Sequence, residues 1–130
     1  MTPAERILAQ RQAQRLRWVE VAPAQDGKPA RRVQITRPTE TEQPQFLQRV
    51  GDGFQWVADL EHVKRFVVGW DGYLESDLVG AAGGDQPVPF NAALWADVCA
   101  DSSDTVTTVA KALLDTLADY HRTLEADAKN

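Results

Sequence analysis

The chain has 130 residues, of which 43% are hydrophobic and 25% charged, and its net charge is −5. That length buries roughly two-thirds of the unfolded surface in one core, and the composition is that of an ordinary globular protein, which excludes a second large domain, a fibrous repeat and disorder of the chain as a whole. No apolar run approaches the ~20 residues of a membrane span, arginines 6, 11, 15 and 17 interrupt any secretory signal, and the lone Cys99 makes no internal disulfide, so a cytosolic chain held together by packing is expected.

Thr2-Pro3-Ala4-Glu5 has the form of a capping box with proline at the first helical position, so a helix begins there. Its apolar stripe is thin, only Ile7, Leu8 and Leu16, and the helix either lies loosely on the body or waits for a partner. Residues 18–22 and 32–36 are β-branched and partly alternating, and Asp26-Gly27 lies between them, which predicts a β-hairpin. Val19 and Val21 then share a face with Val33 and Ile35, while Glu20, Arg32 and Gln34 face solvent or a partner. A hairpin alone is marginal and must pack on helices or pair with another chain.

Residues 37–45 read as a connection punctuated by Pro38 and Pro44, leading into a short helix over 44–50. Trp56, Val57, Leu60, Val63, Val67 and Trp70 recur at helical spacing, with Gly69 placed to end that helix in the left-handed conformation. Residues 71–89 read as a long irregular loop containing Asp71-Gly72, Gly80 to Gly84 and the pair Pro87 and Pro89. Asn91 caps a helix burying Leu94, Trp95, Val98 and Cys99, with Phe90 positioned to staple onto Leu94 or Trp95. Asp101 to Asp104 separates it from a last helix over 105–128, striped by Val106, Val109, Ala110, Leu113, Leu117, Tyr120 and Leu124. The expected fold is α+β and mainly helical, one domain over 1–130: a basic helix plus hairpin in 1–37, then a helical body over 44–128 with a long loop.

The search for chemistry excludes more than it finds. Gly80 to Asp85 lacks the Gly-Lys-Ser/Thr and the strand–helix context of a phosphate loop. The acidic run Asp71, Glu75, Asp77 misses an EF-hand, with Tyr73, Ser76 and Ala82 where ligand, turn glycine and bidentate glutamate belong. Cys99 falls on an apolar helix face, as an inert core thiol does. His62 and His121 read as surface residues without zinc-ligand spacing. No enzyme, metal or cofactor is therefore implied. Trp56, Trp70 and Trp95 fall on predicted apolar faces, whereas Trp18, beside Arg15 and Arg17, reads as an interface residue. Charge is uneven: residues 1–37 carry eight basic and three acidic side chains, residues 38–130 six and sixteen. These blocks read either as solvated faces or as a basic head and an acidic body that attract between copies.

The stretch from His62 to Leu94 holds Trp70-Asp71-Gly72, a glycine-containing loop and Pro87-Val88-Pro89-Phe90-Asn91, and the chain ends Leu124-Glu125-Ala126-Asp127-Ala128-Lys129-Asn130. This pattern is similar to tail assembly chaperones of long-tailed bacteriophages and covers roughly the last two-thirds of the chain. The resemblance implies a protein that binds the tape measure protein, keeps it soluble and helps recruit tail tube subunits. It also implies the host cytoplasm as location, absence from the mature virion, and the shorter product where a frameshifted longer form recruits the tube protein. The candidate contact residues are Arg15, Arg17, Trp18, Trp70, Asp71, Gly72, Pro89 and Phe90, with core packing the competing reading for Trp70 and Phe90. Self-association is expected, and binding to membranes or nucleic acid is not. Two rivals stay open: a phage structural connector, and a nucleic-acid adaptor using the basic N-terminal segment.

Overall fold

The computed structural model describes residues 1–129; Asn130, the last residue of the chaperone-like ending, lies outside the described residues. Helix α1 (Pro3–Gln14) starts as the sequence dictates, with the Thr2 hydroxyl accepting from the Glu5 amide at 3.1 Å and Pro3 in the first turn. None of its residues is buried. Leu16, expected on this helix's stripe, instead opens strand β1 (Leu16–Ala22), because the helix ends at Arg15, whose carbonyl accepts from the Arg37 amide.

Strand β1 pairs antiparallel with β2 (Arg31–Thr36), Val19 facing Val33 as the alternation predicts. Beyond the paired strands a tight turn closes the connection. Asp26 and Gly27 both have left-handed backbone, φ 52° and 77°, and Gln25 and Lys28 exchange backbone hydrogen bonds of 3.1 and 2.9 Å. That is the type I′ geometry Asp-Gly favours, since its twist matches the strands it joins. Val33 and Ile35 are fully buried, with Val19 and Val21 packed beside them.

The body is less helical than the sequence suggests. The predicted helix through Trp56 to Trp70 exists only as α2 (Leu60–Phe66), and the chain then continues as strand β5 (Val67–Asp71) on the other edge of β2. Asp59 sets the start, its carboxylate accepting from the His62 amide at 3.0 Å while His62 Nδ1 accepts from the Asp59 amide at 3.1 Å, which cuts Trp56 off from the helix. The end is set by tertiary pairing. Val67, Val68 and Gly69 are weak helix formers, and pairing Val33 with Trp70 and Ile35 with Val67 gives the marginal hairpin its third strand. Gly69 accordingly is no helix cap: it sits opposite Gln34 within the sheet. The left-handed glycine is Gly72, φ 84°.

The short helix expected over 44–50 is a 3₁₀ turn (Gln43–Phe46) followed by a second hairpin, β3 (Leu47–Val50) and β4 (Gly53–Trp56). Gly51, at φ 59°, opens its two-residue turn in the II′ pattern. The 71–89 loop is more ordered than predicted: it contains α3 (Glu75–Val79) and a 3₁₀ turn (Gly80–Ala82), and a bridge between Leu74 and Pro87 draws it shut.

Asn91 caps α4 (Ala92–Asp101) as expected, accepting from the Leu94 amide at 3.0 Å. Trp95 and Cys99 are buried, but Leu94 stays 38% exposed. Helix α5 (Ser103–Lys129) buries Val109, Leu113, Thr116 and Leu117, while Leu124 at the far end of the predicted stripe is 41% exposed. Helices α2, α4 and α5 and the inner face of the three-stranded sheet enclose one core, with Trp95 at its centre donating from Nε1 to the Val63 carbonyl at 3.1 Å. The architecture is α+β with the N-terminal helix and hairpin the sequence predicts, and the helical body carries additional strands. Among the described residues no helix is long and apolar enough to cross a membrane.

Candidate functional site

The residues singled out in the sequence fall into two separate groups. Arg15, Arg17 and Trp18 lie where α1 passes into β1. Arg17 Nη2 donates to Asp119 Oδ2 of α5 at 2.8 Å, and Arg122 also donates to that carboxylate, so these two hydrogen bonds hold the Asp119 carboxyl below the usual range. Trp18 is 44% exposed on the outer sheet face, its ring 4.9 Å from the Arg32 guanidinium, which in turn donates to Asp71 at 2.6 Å. Alternation predicts this outward row, but Asp71 joins it only because β5 is a strand. On the α5 side, beside Arg17 and Asp119, Arg37 stacks 3.8 Å over Tyr120, whose hydroxyl donates to Glu40 at 2.6 Å. Of the seven arginines in residues 1–37, Arg17 and Arg32 thus have carboxylate partners within the chain.

Trp70, Gly72, Pro89 and Phe90 form the other group. Trp70 is 9% exposed, stacks on Tyr73 at 4.3 Å, meets Phe90 edge-on at 5.4 Å, and donates from Nε1 to the Val88 carbonyl at 2.7 Å. The Val88 amide donates back to the Tyr73 carbonyl at 2.9 Å. Phe90 packs edge-on against Trp70 and on the core cluster that includes Trp95, while Pro89 stays exposed. At Gly72 a Cβ would stand 2.0 Å from the Ala30 carbonyl oxygen, so glycine lets the turn press against the start of β2. The Trp-Asp-Gly and Pro-Val-Pro-Phe segments are two halves of one strap, and their aromatic residues hold it closed.

A surface that the sequence reading missed is the second hairpin. Leu47, Val50, Phe54 and Trp56 are 43%, 51%, 71% and 40% exposed. Cross-strand pairing of Leu47 with Trp56 and Arg49 with Phe54 puts three of them, with Arg49, on one face. The available signal was Val50-Gly51-Asp52-Gly53 between apolar residues; helical periodicity through Trp56 outweighed it. At the hairpin's base Trp56 lies 5.9 Å from His121, and with Leu114, Leu117 and Ala118 it walls an open groove of about 530 Å³ edged by Asp115 and Glu125.

Comparison with known proteins found no matching family model, curated protein or solved structure. The chemistry of the groups present must therefore speak for itself. Burial pushes the Cys99 thiol up to about 11 and the Tyr73 hydroxyl to about 12, away from reactivity near neutrality. His62, expected at the surface, is stacked on Phe46 at 4.0 Å with its side chain only 15% exposed. His121 is exposed and shares a 3.1 Å hydrogen bond with Gln43. Asp77, Asp97, Asp101 and Asp104 line a hollow with Arg31, but among the described residues no three His, Cys, Asp or Glu side chains are placed to hold a metal ion.

Proposed function

We propose that this chain works by binding other proteins, as a tail assembly chaperone that holds the long helical tape measure protein of a phage tail in soluble form and helps bring tail tube subunits to it. The observation that carries this reading is the concentration of exposed apolar side chains on the second hairpin, Leu47, Val50, Phe54 and Trp56. Monomeric proteins seldom leave contiguous apolar surface uncovered unless something binds there, and a two-stranded ribbon is marginal on its own. A client strand or helix laid on Phe54 and its neighbours covers both deficits at once. The chaperone-like motif residues support the assignment in a different way: the strap closed by Trp70, Val88 and Phe90 is a scaffold, so its resemblance bears on the fold and leaves client contact to the hairpin. Internal pairing of Arg17 and Arg32 weighs against the nucleic-acid rival, since those guanidinium groups already have carboxylate partners. The setting for such work is the host cytoplasm before the virion is complete.

The test is co-expression with the tape measure protein. The expected result is a larger soluble fraction of that protein, co-purification with this chain, and loss of both on Phe54→Asp, at a site 71% exposed and outside the core. A soluble fraction that does not respond to this chain refutes the reading.

A further inference from the structure

Helix α1 and the groove on α5 are unpartnered surfaces of opposite character. The helix is 12 residues long with none buried, and Ile7 and Leu8 are 50% and 55% exposed. Isolated helices shorter than ~12–15 residues are marginal in water, so packing against something else is what would secure this one. Arg11 follows Ile7 and Leu8 by one turn and Arg6 precedes them, giving a short apolar patch between cations. The groove has the matching form: apolar walls from Trp56, Leu114, Leu117 and Ala118, with the carboxylates of Glu125 and of Asp115, the latter shared with exposed Lys111 at 3.3 Å, at its edges.

The helix cannot fill the groove of its own chain. Where α1 gives way to β1, Arg15 and Arg17 stand beside Thr116, Asp119, Tyr120 and Thr123 of α5. At ~100° per residue those positions and Leu114, Ala118 and Glu125 occupy roughly opposite flanks of the same helix, with the body of α5 between them. The Arg15 carbonyl, tied to the Arg37 amide at 2.7 Å, fixes the point of departure.

We propose that the groove formed by α5 and Trp56 receives helix α1 of a second copy of this chain, Ile7 and Leu8 against its apolar walls and Arg6 and Arg11 toward Asp115 and Glu125. Exchanged in both directions about a two-fold axis the contact makes an isologous interface and closes a dimer; made in one direction only it is heterologous and builds a ring or a chain of copies. This inference shares Trp56 with the client surface but turns on the α5 flank and the N-terminal helix, whereas the client reading is tested at Phe54 near the hairpin tip.

Sedimentation velocity of the full chain tests it, with Ile7→Gln/Leu8→Gln as one variant and Ala118→Arg as the other. All three positions are exposed, and circular dichroism checks that each variant remains folded. The expected result is concentration-dependent association of the unaltered chain, weakened more than about tenfold in either variant, as for loss of an interface anchor. Mixing the two variants pairs the intact helix of one with the intact groove of the other, so heterodimer reappears. Raising salt to 1 M, where the screening length falls to about 3 Å, weakens the unaltered assembly. An unaltered chain that stays monomeric at ~100 µM leaves the groove to a different protein and overturns the proposal; so does association that survives either variant, or a mixture that fails to recover heterodimer.

Discussion

Replacing Gly72 with alanine separates two costs that coincide in the Trp70-Asp71-Gly72 turn. The first is backbone: at φ 84° an L-residue adopts a left-handed conformation that costs about 1–2 kcal/mol. The second is steric, because the new methyl would lie 2.0 Å from the Ala30 carbonyl oxygen and 3.0 Å from its carbon, and real Cβ atoms essentially never approach below 3.0 Å. Neither partner can turn away, since the obstacle is main chain leading directly into β2 at Arg31. Forcing such an insertion costs about 1–3 kcal/mol. The sum, about 2–5 kcal/mol, is a large share of the ~5–15 kcal/mol that holds a domain together. Gly27→Ala is the control, because its φ of 77° carries the same backbone cost with nothing within 4 Å of the added carbon. Urea unfolding followed by far-UV circular dichroism reads both, and the Gly72 variant should lose at least about 1 kcal/mol more than the Gly27 variant. Equal losses would show that β2 and the turn are not pressed together as described, and the account of the strap would fall with it.

Trp70→Phe keeps the ring contacts with Tyr73 and Phe90 but removes the donor to Val88, and should cost about 1–2 kcal/mol with faster amide exchange at Val88; unchanged exchange there argues against the strap. Cys99, with its thiol pushed up to about 11 by burial, should react with a disulfide reagent at pH 8 at least about a hundredfold more slowly in the native protein than in urea, and similar rates would contradict its burial. Asp119 has a folded pKa below its ordinary 3.8, so its contribution to stability is present above that ordinary value and is lost as pH falls through the lower folded one. Asp119→Asn should therefore narrow the difference in melting temperature between pH 7 and pH 3, and an unchanged difference would mean that the bonds from Arg17 and Arg122 do not persist in solution.

Local chemistry was legible where it acts over a few residues. Thr2, Asp26-Gly27 and Asn91 carry their caps and turn in their own side chains and backbone preferences, and each does what the sequence says. The alternation of Val19, Val21, Val33 and Ile35 likewise gave the buried face of the first hairpin. What failed was the reading of Trp56 to Trp70, where helical spacing spans three different elements. Trp56 closes a hairpin, Leu60 to Phe66 form the helix, and Val67 to Asp71 are a strand because β2 offers a free edge more than thirty residues upstream. Periodicity within a segment cannot register a partner that distant. The same limit governs the candidate residues. Trp18 and Asp71 share one face through Arg32, which needs the third strand, and Trp70 with Phe90 need the closure of the loop between them.

The four tryptophans divide evenly between two environments, Trp95 and Trp70 enclosed with their ring nitrogens bonded to carbonyls, Trp18 and Trp56 open to water. Emission from the native protein should therefore be composite, a blue component beyond the reach of iodide and a red one that iodide quenches. Trp56 stands at the mouth of the groove on α5 and Trp18 on the outer face of the three-stranded sheet, under Arg32. With Trp18 replaced by phenylalanine, the quenchable light comes from a single ring, and whatever settles against Trp56 announces itself optically, without a label.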